Sequence, residues 1–190
     1  MKNVNRLTLL SLIVCLTQKG FSQLNNHHKN YIDIGVVGGM QHHDSPMAGV
    51  YGSFGTFFMV GGRPSSIDVR VKEMYVANPD QEGTLITLTY RISVAKGLFV
   101  GIGGAHGHQI DGEEFLTHPV SAIGGTNTHI MHGSGFNAEL GYNFPSFIKN
   151  KYLGIYPVVQ VAYTHLFMTG HSMPNLTLSA GFRVGLKQWN

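Results

Sequence analysis

The chain has 190 residues, of which 12% are charged against roughly 25% in soluble proteins, and it carries 25 Gly, 11 Phe and 8 Tyr. Its formal net charge of +3 rests on Lys2, Arg6 and Lys19; from residue 23 onward ten basic side chains face ten acidic ones, which excludes the basic footprint of a nucleic-acid binder. The single cysteine, Cys15, sits in the same N-terminal segment, so beyond it no disulfide can hold the fold.

The first element is a secretory signal over residues 1–22. Lys2 and Arg6 precede the apolar run "LTLLSLIVCL", and Gly20 and Ser22 supply the small residues of a cleavage site before Gln23. The run is ten residues long, whereas a bilayer-spanning helix needs about 20. Val14, before Cys15, is too large for a lipoprotein signal. Residues 23–30 then form a lead, and residues 31–190 one domain.

That domain shows no long apolar run and no 3.6-residue period. Segments alternating apolar with small or polar residues recur instead, the pattern of transmembrane strands, which need about 9–11 residues each. The first strand, 31–41, turns Ile32, Ile34, Val36 and Met40 out and Asp33 in. The second, 49–61, carries aromatics on both faces. The third sets Ile67, Val69 and Val71 against lipid and Asp68, Arg70 and Lys72 inside. In the fourth, Ile86, Leu88, Tyr90, Ile92 and Val94 face out while Thr87, Thr89 and Arg91 face in. The fifth, "LFVGIGGAH", points Leu98, Val100 and Ile102 outward, and the sixth separates Phe136, Ala138, Leu140 and Tyr142 from Asn137, Glu139 and Asn143. The seventh, 152–166, places Leu153, Ile155, Val159, Val161, Tyr163 and His165 on one parity. The eighth, "LTLSAGFRVGLK", sets Leu176, Leu178, Ala180, Phe182, Val184 and Leu186 against Thr177, Ser179, Gly181, Arg183, Gly185 and Lys187.

A soluble sandwich also alternates, but it hides its apolar face and gives the other to water. Here the polar face is Gly-rich with isolated charges, and aromatics gather near strand ends, as at a membrane interface. The expected fold is therefore all-β, an eight-stranded antiparallel transmembrane barrel in the bacterial outer membrane. Asp33, Asp68, Arg70, Lys72, Arg91, Glu139, Arg183 and Lys187 would pair inside a lumen only wide enough for side chains. With a periplasmic N-terminus, "GGRPSS", "AKG" and "PSFIKNK" are short inner connections, and the longest outer one runs from 107 to 133. The chain ends Trp189-Asn190, one residue past the aromatic on which such barrels often finish.

Eleven histidines are many for this length. Nine of them, His42, His43, His106, His108, His118, His129, His132, His165 and His171, map to external loops or strand ends. His106 and His108, two apart on one strand face, are the candidate metal ligands. Polar loop composition, or charging of the outer rim with pH, accounts for the same residues without a metal.

A second signal is "HLFMTGHSMPN", in which His165, Gly170, Pro174 and Asn175 are spaced His-x4-Gly-x3-Pro-Asn. This resembles the outer-membrane lipid A 3-O-deacylases, and "GLFVGIGGAHG" and "GFNAELGYNF" are similar to that family's glycine-rich fifth and sixth strands. The resemblance implies an ester hydrolase acting on lipid A, with His165 as base and Gly170 and Asn175 at the oxyanion hole. The family's nucleophilic Ser is Phe167 here, the Asn after it is Met168, and the position of its orienting Glu falls at Ser179, so nucleophile and acid are both substituted. Two readings stand open: a lipid A ester hydrolase or a degenerate descendant of one, and a non-enzymatic barrel whose histidine-rich loops bind a metal ion, surface ligand or partner protein. Expected partners are membrane lipids, lipid A among them, and the machinery that assembles barrels; no cofactor is expected.

Overall fold

A computed structural model describes residues 28–41, 45–77, 80–111, 131–149, 153–168 and 171–187. The signal segment, His42, His43, His118, His129, Gly170 and the terminal Trp189-Asn190 lie outside the described residues. The strands are β1 (His28–Gln41), β2 (Ser45–Val60), β3 (Arg63–Ala77), β4 (Asp80–Ser93), β5 (Leu98–Asp111), β6 (Met131–Asn143), the two-residue β7 (Ile148–Lys149), β8 (Leu153–Met168) and β9 (His171–Lys187). Each long strand pairs antiparallel with its neighbours. Pairing of β1 with β9 and of β6 with β8 closes the eight long strands into a ring.

The strands outrun their expected bounds because the ladder continues past the apolar belt at both ends. β1 begins at His28, inside the expected lead. β2 begins at Ser45 and pairs to Val60, and the connection after it is only Gly61-Gly62, with Arg63, Pro64, Ser65 and Ser66 already in β3. Both glycines have positive φ, 55° and 77°, as the two central residues of a tight hairpin matching strand twist require. The longest connection shrinks to 112–130, so 107–111 and 131–133 belong to β5 and β6. Within "PSFIKNK", Ile148 and Lys149 pair with Ile155 and Gly154 as β7.

Side-chain parity follows the alternation in sequence. Asp33, Asp68, Arg70, Lys72, Thr87, Thr89, Arg91, Asn137, Glu139, Thr177, Ser179 and Arg183 are buried inside, while Ile34, Val36, Phe54, Leu88, Ile102, Leu140, Leu178 and Phe182 are exposed outside. A continuous apolar exterior around a polar interior is stable against hydrocarbon rather than water, and a closed ring leaves no unpaired edge. The barrel therefore spans a membrane. One end carries the connections 42–44, 78–79, 112–130 and 169–170 and is called the loop end below; the opposite end carries 61–62, 94–97 and the segment from β6 to β8 that includes β7.

The lumen is packed. Asp33 accepts from Arg183 Nε and Nη2, both at 2.8 Å, and from Arg70 at 3.3 Å. Asp68 lies 2.7 Å from Arg91 and 3.4 Å from Arg70, and Arg91 also pairs with Glu139. Lys72 donates to Thr177 at 3.1 Å. The Arg183 guanidinium lies 4.0 Å from the centre of the Tyr31 ring, whose hydroxyl accepts from Arg91 and donates to Ser66. Toward the loop end the filling turns apolar, with Leu85, Ala105, Leu166, Met168 and Met173 packed together and Met74 and Met131 against them. Side chains thus occupy the interior as a narrow barrel requires. The side chain of Lys187 lies outside the described residues.

Gly55 faces Tyr31 so closely that a Cβ there would overlap its ring. Gly55→Val should displace the ring that caps Arg183 and lower stability by about 1–3 kcal/mol, the usual cost of overpacking. Urea unfolding in lipid vesicles measures this, and an unchanged midpoint would show that Tyr31 can move freely.

Candidate functional site

The histidines divide by strand register. On the outer face of the loop end, cross-strand partners form rows. The first row runs Glu73, Thr84, His108, His132; the next runs Val71, Ile86, His106, Ser134, Phe167; the third runs Val69, Leu88, Gly104, Phe136, His165, Pro174. From β4 to β6 the outward residues change from polar in the first row, Thr84, His108 and His132, to apolar in the third, Leu88 and Phe136, so on this side of the barrel the second row marks the edge of the apolar belt, whereas beyond Glu73 the first row continues to exposed Val50 on β2.

His106, His108 and His132 meet there. Successive outward residues of β5 hold the first two, and the pairing of His108 with His132 brings in the third. One nitrogen from each ring lies within 4.8 Å of the others. His106 Nε2 is 2.8 Å from His108 Nε2, and the His108 and His132 ring centres are 4.5 Å apart. His106 Nδ1 is 2.8 Å from Ser134 Oγ. With Nδ1–H donating to that hydroxyl, Nε2 keeps its lone pair and accepts from His108 Nε2–H. Zinc–nitrogen bonds of about 2.0–2.1 Å put tetrahedral ligand nitrogens about 3.3 Å apart, so the three rings, with nitrogens within 4.8 Å, would have to draw closer to share one ion. The hydrogen bond from a ligand's far ring nitrogen is what fixes tautomer and orientation in such sites, the place Ser134 occupies.

His106 and His108 were legible in the sequence as a pair two residues apart. His132 falls within the connection expected over 107–133, and the signal that could have found it is the pairing of β5 with β6 across that connection. No carboxylate joins the cluster among the described residues. In the first row Glu73 is two strands away, and its oxygens accept from Thr84 at 3.0 and 2.9 Å.

The hairpin of "HLFMTGHSMPN" comes out differently. His165 does face outward, as its parity implied. Its ring stacks on Phe136, at 5.6 Å and 7° between planes, packs 4.8 Å from Phe167, and its Nδ1 is 3.1 Å from the Tyr163 hydroxyl. Asn175 pairs with Thr164 rather than His165, and its side chain is buried in the lumen. Ser179, at the position of the family's acid, is likewise inside. The β-strand period of two puts these groups on opposite sides of the barrel wall, so the structure does not bring His165 and Asn175 together. Gly170 lies outside the described residues. Phe167 is exposed on the outer face beside His165, where a nucleophile would have stood, and Met168 points inward.

No protein-family model and no curated protein matches the chain. Among solved structures, it is similar to the outer membrane protein OprG from Pseudomonas aeruginosa, with 9% identity over 85% of this chain and 98% of that one and a TM-score of 0.44. It is similar also to a loop-deletion mutant of OmpT, an outer membrane protein of Vibrio cholerae, with 15% identity over 80% of this chain and 52% of that one and a TM-score of 0.29. A third, CdiB from Acinetobacter baumannii, shares 13% identity over 85% of this chain and 29% of that one, with a TM-score of 0.29. On its own geometry the molecule is an eight-stranded antiparallel membrane barrel with a histidine cluster at the edge of its apolar belt.

Proposed function

We propose that this protein is a bacterial outer-membrane barrel, its loop end outside, that binds a divalent transition metal through His106, His108 and His132 at the outer face. The observation that carries this reading is the convergence of three imidazole nitrogens within 4.8 Å, one ring already held by Ser134. Neutral imidazoles without thiolates suit zinc, copper or nickel. A filled lumen agrees with a binding role rather than a channel.

Calorimetry on the purified protein in a phosphate-free detergent should show saturable zinc or copper binding at neutral pH. Binding should weaken in acid, because protons compete for the same ring nitrogens. Absence of saturable binding would remove the metal reading.

Hydrolysis of a lipid A ester is the second reading, and the outward placement of His165 is what favours it. Its partners do not: Asn175 and Ser179 are inside, and the hydroxyl bonded to His165 belongs to Tyr163. A hydroxyl nucleophile, a base and an orienting group must share one face to act together. The expected mass spectrum of lipid A after incubation with the protein is unaltered. Loss of one acyl chain, abolished by His165→Ala, would reinstate hydrolysis.

A further inference from the structure

We infer that the metal held by His106, His108 and His132 takes a phosphate oxygen as its next ligand, and that the phosphate belongs to a lipid head group of the adjoining leaflet. The inference rests on the metal reading above and adds the chemistry of what the metal binds.

Three features lead to it. The ligands all project from one face of the barrel wall, from adjacent strands β5 and β6, so among the described residues a bound metal would have protein on one side, and its open coordination positions would point away from the wall. Three-imidazole zinc sites keep such a position for an exogenous ligand. Charge sets the character of that ligand. Three neutral imidazoles leave the full double positive charge of the ion in place, and no described carboxylate joins the cluster to offset it. An anionic oxygen is the favoured occupant, since a hard oxygen anion gains most beside an uncompensated cation.

Position selects the source of that anion. His106 and Ser134 lie in the row next to exposed Ile86 and Phe167, and the row below holds exposed Leu88 and Phe136 with His165. A ligand whose head reaches the metal would lay its acyl chains down this apolar face, past Ile102 and Leu140. A phosphorylated lipid satisfies both demands in one molecule, whereas free inorganic phosphate satisfies only the first. Membrane anchoring also raises the local concentration of the lipid head group at the site. Ser134 acts here as a positioning residue, working through the His106 ring that it bonds at Nδ1.

The test uses the full protein in maltoside micelles, loaded with cobalt(II) as a visible reporter of coordination. Dioleoyl phosphatidic acid, dioleoylglycerol and inorganic phosphate are titrated in turn. Phosphatidic acid should change the cobalt absorption bands at total concentrations at least about tenfold below those at which inorganic phosphate acts. Dioleoylglycerol, with the same chains and no phosphate, should leave them unaltered. Ser134→Ala, folded by heat-modifiable gel mobility, should bind cobalt about 10–100-fold more weakly yet show the same band change once loaded. Cobalt bands that ignore both phosphates overturn the inference and leave the metal site standing. Equal responses to phosphatidic acid and inorganic phosphate overturn the lipid assignment. Failure of cobalt to bind at all overturns this inference together with the metal reading.

Discussion

Replacing Asp33 by Ala is expected to lower the unfolding free energy of the barrel by about 3–5 kcal/mol, the cost of leaving a buried charge without its partner. Asp33 is fully buried and touches three guanidiniums, at 2.8 Å for Arg183, 3.3 Å for Arg70 and 3.9 Å for Arg91. Without it, Asp68 and Glu139 would face those three arginines and Lys72 in a packed interior. Urea unfolding in lipid vesicles, or the temperature at which a cold-gel folded band is lost, measures the effect. Pairing the change with Arg183→Met should recover part of the loss, since removing both charges leaves one fewer unmatched cation. An Asp33→Ala barrel as stable as the parent would show that water, not Asp33, balances the arginines.

The second large effect concerns the metal. His106→Ala, His108→Ala and His132→Ala should each weaken zinc binding by more than roughly 100-fold, beyond the ~10–100-fold typical of losing only an outer-shell partner. The side chains of His106 and His132 lie on the outer surface, so folding should be unaffected and the gel mobility of the heated and unheated forms should match the parent. His165→Ala should leave zinc affinity unchanged, because its ring belongs to the Phe136, Tyr163 and Phe167 cluster. The result for His132 decides most. If His132→Ala binds as the parent does, the site is the two-histidine pair of one strand and the cross-strand geometry contributes nothing.

Much of the fold was legible because a membrane barrel writes its environment into alternate residues. Ile67, Val69 and Val71 must meet lipid and Asp68, Arg70 and Lys72 must avoid it, so a period of two in the sequence is a period of two in burial. Strand ends were harder, since past the apolar belt nothing distinguishes a paired residue from a loop residue. Arg63 to Ser66 look like a turn, yet Gly61 and Gly62, with positive φ, make the turn alone. The candidate site was half legible. The His-x-His of β5 is local, but His132 follows a 112–130 connection whose length says nothing about register.

The hairpin shows the same division from the other side. The spacing of His165 to Asn175 is a property of sequence, and it resembles a catalytic segment. Whether the two side chains share a face depends on which residues the turn pairs, and pairing His165 with Pro174 sends Asn175 into the lumen. Composition and alternation by themselves determined the barrel, its inward charges and its outward apolar belt, because solvent preference acts on each residue separately. Cross-strand register decided the rest, assembling His106, His108, His132 and Ser134 and parting His165 from Asn175, because hydrogen-bonded pairing joins residues that no local pattern connects.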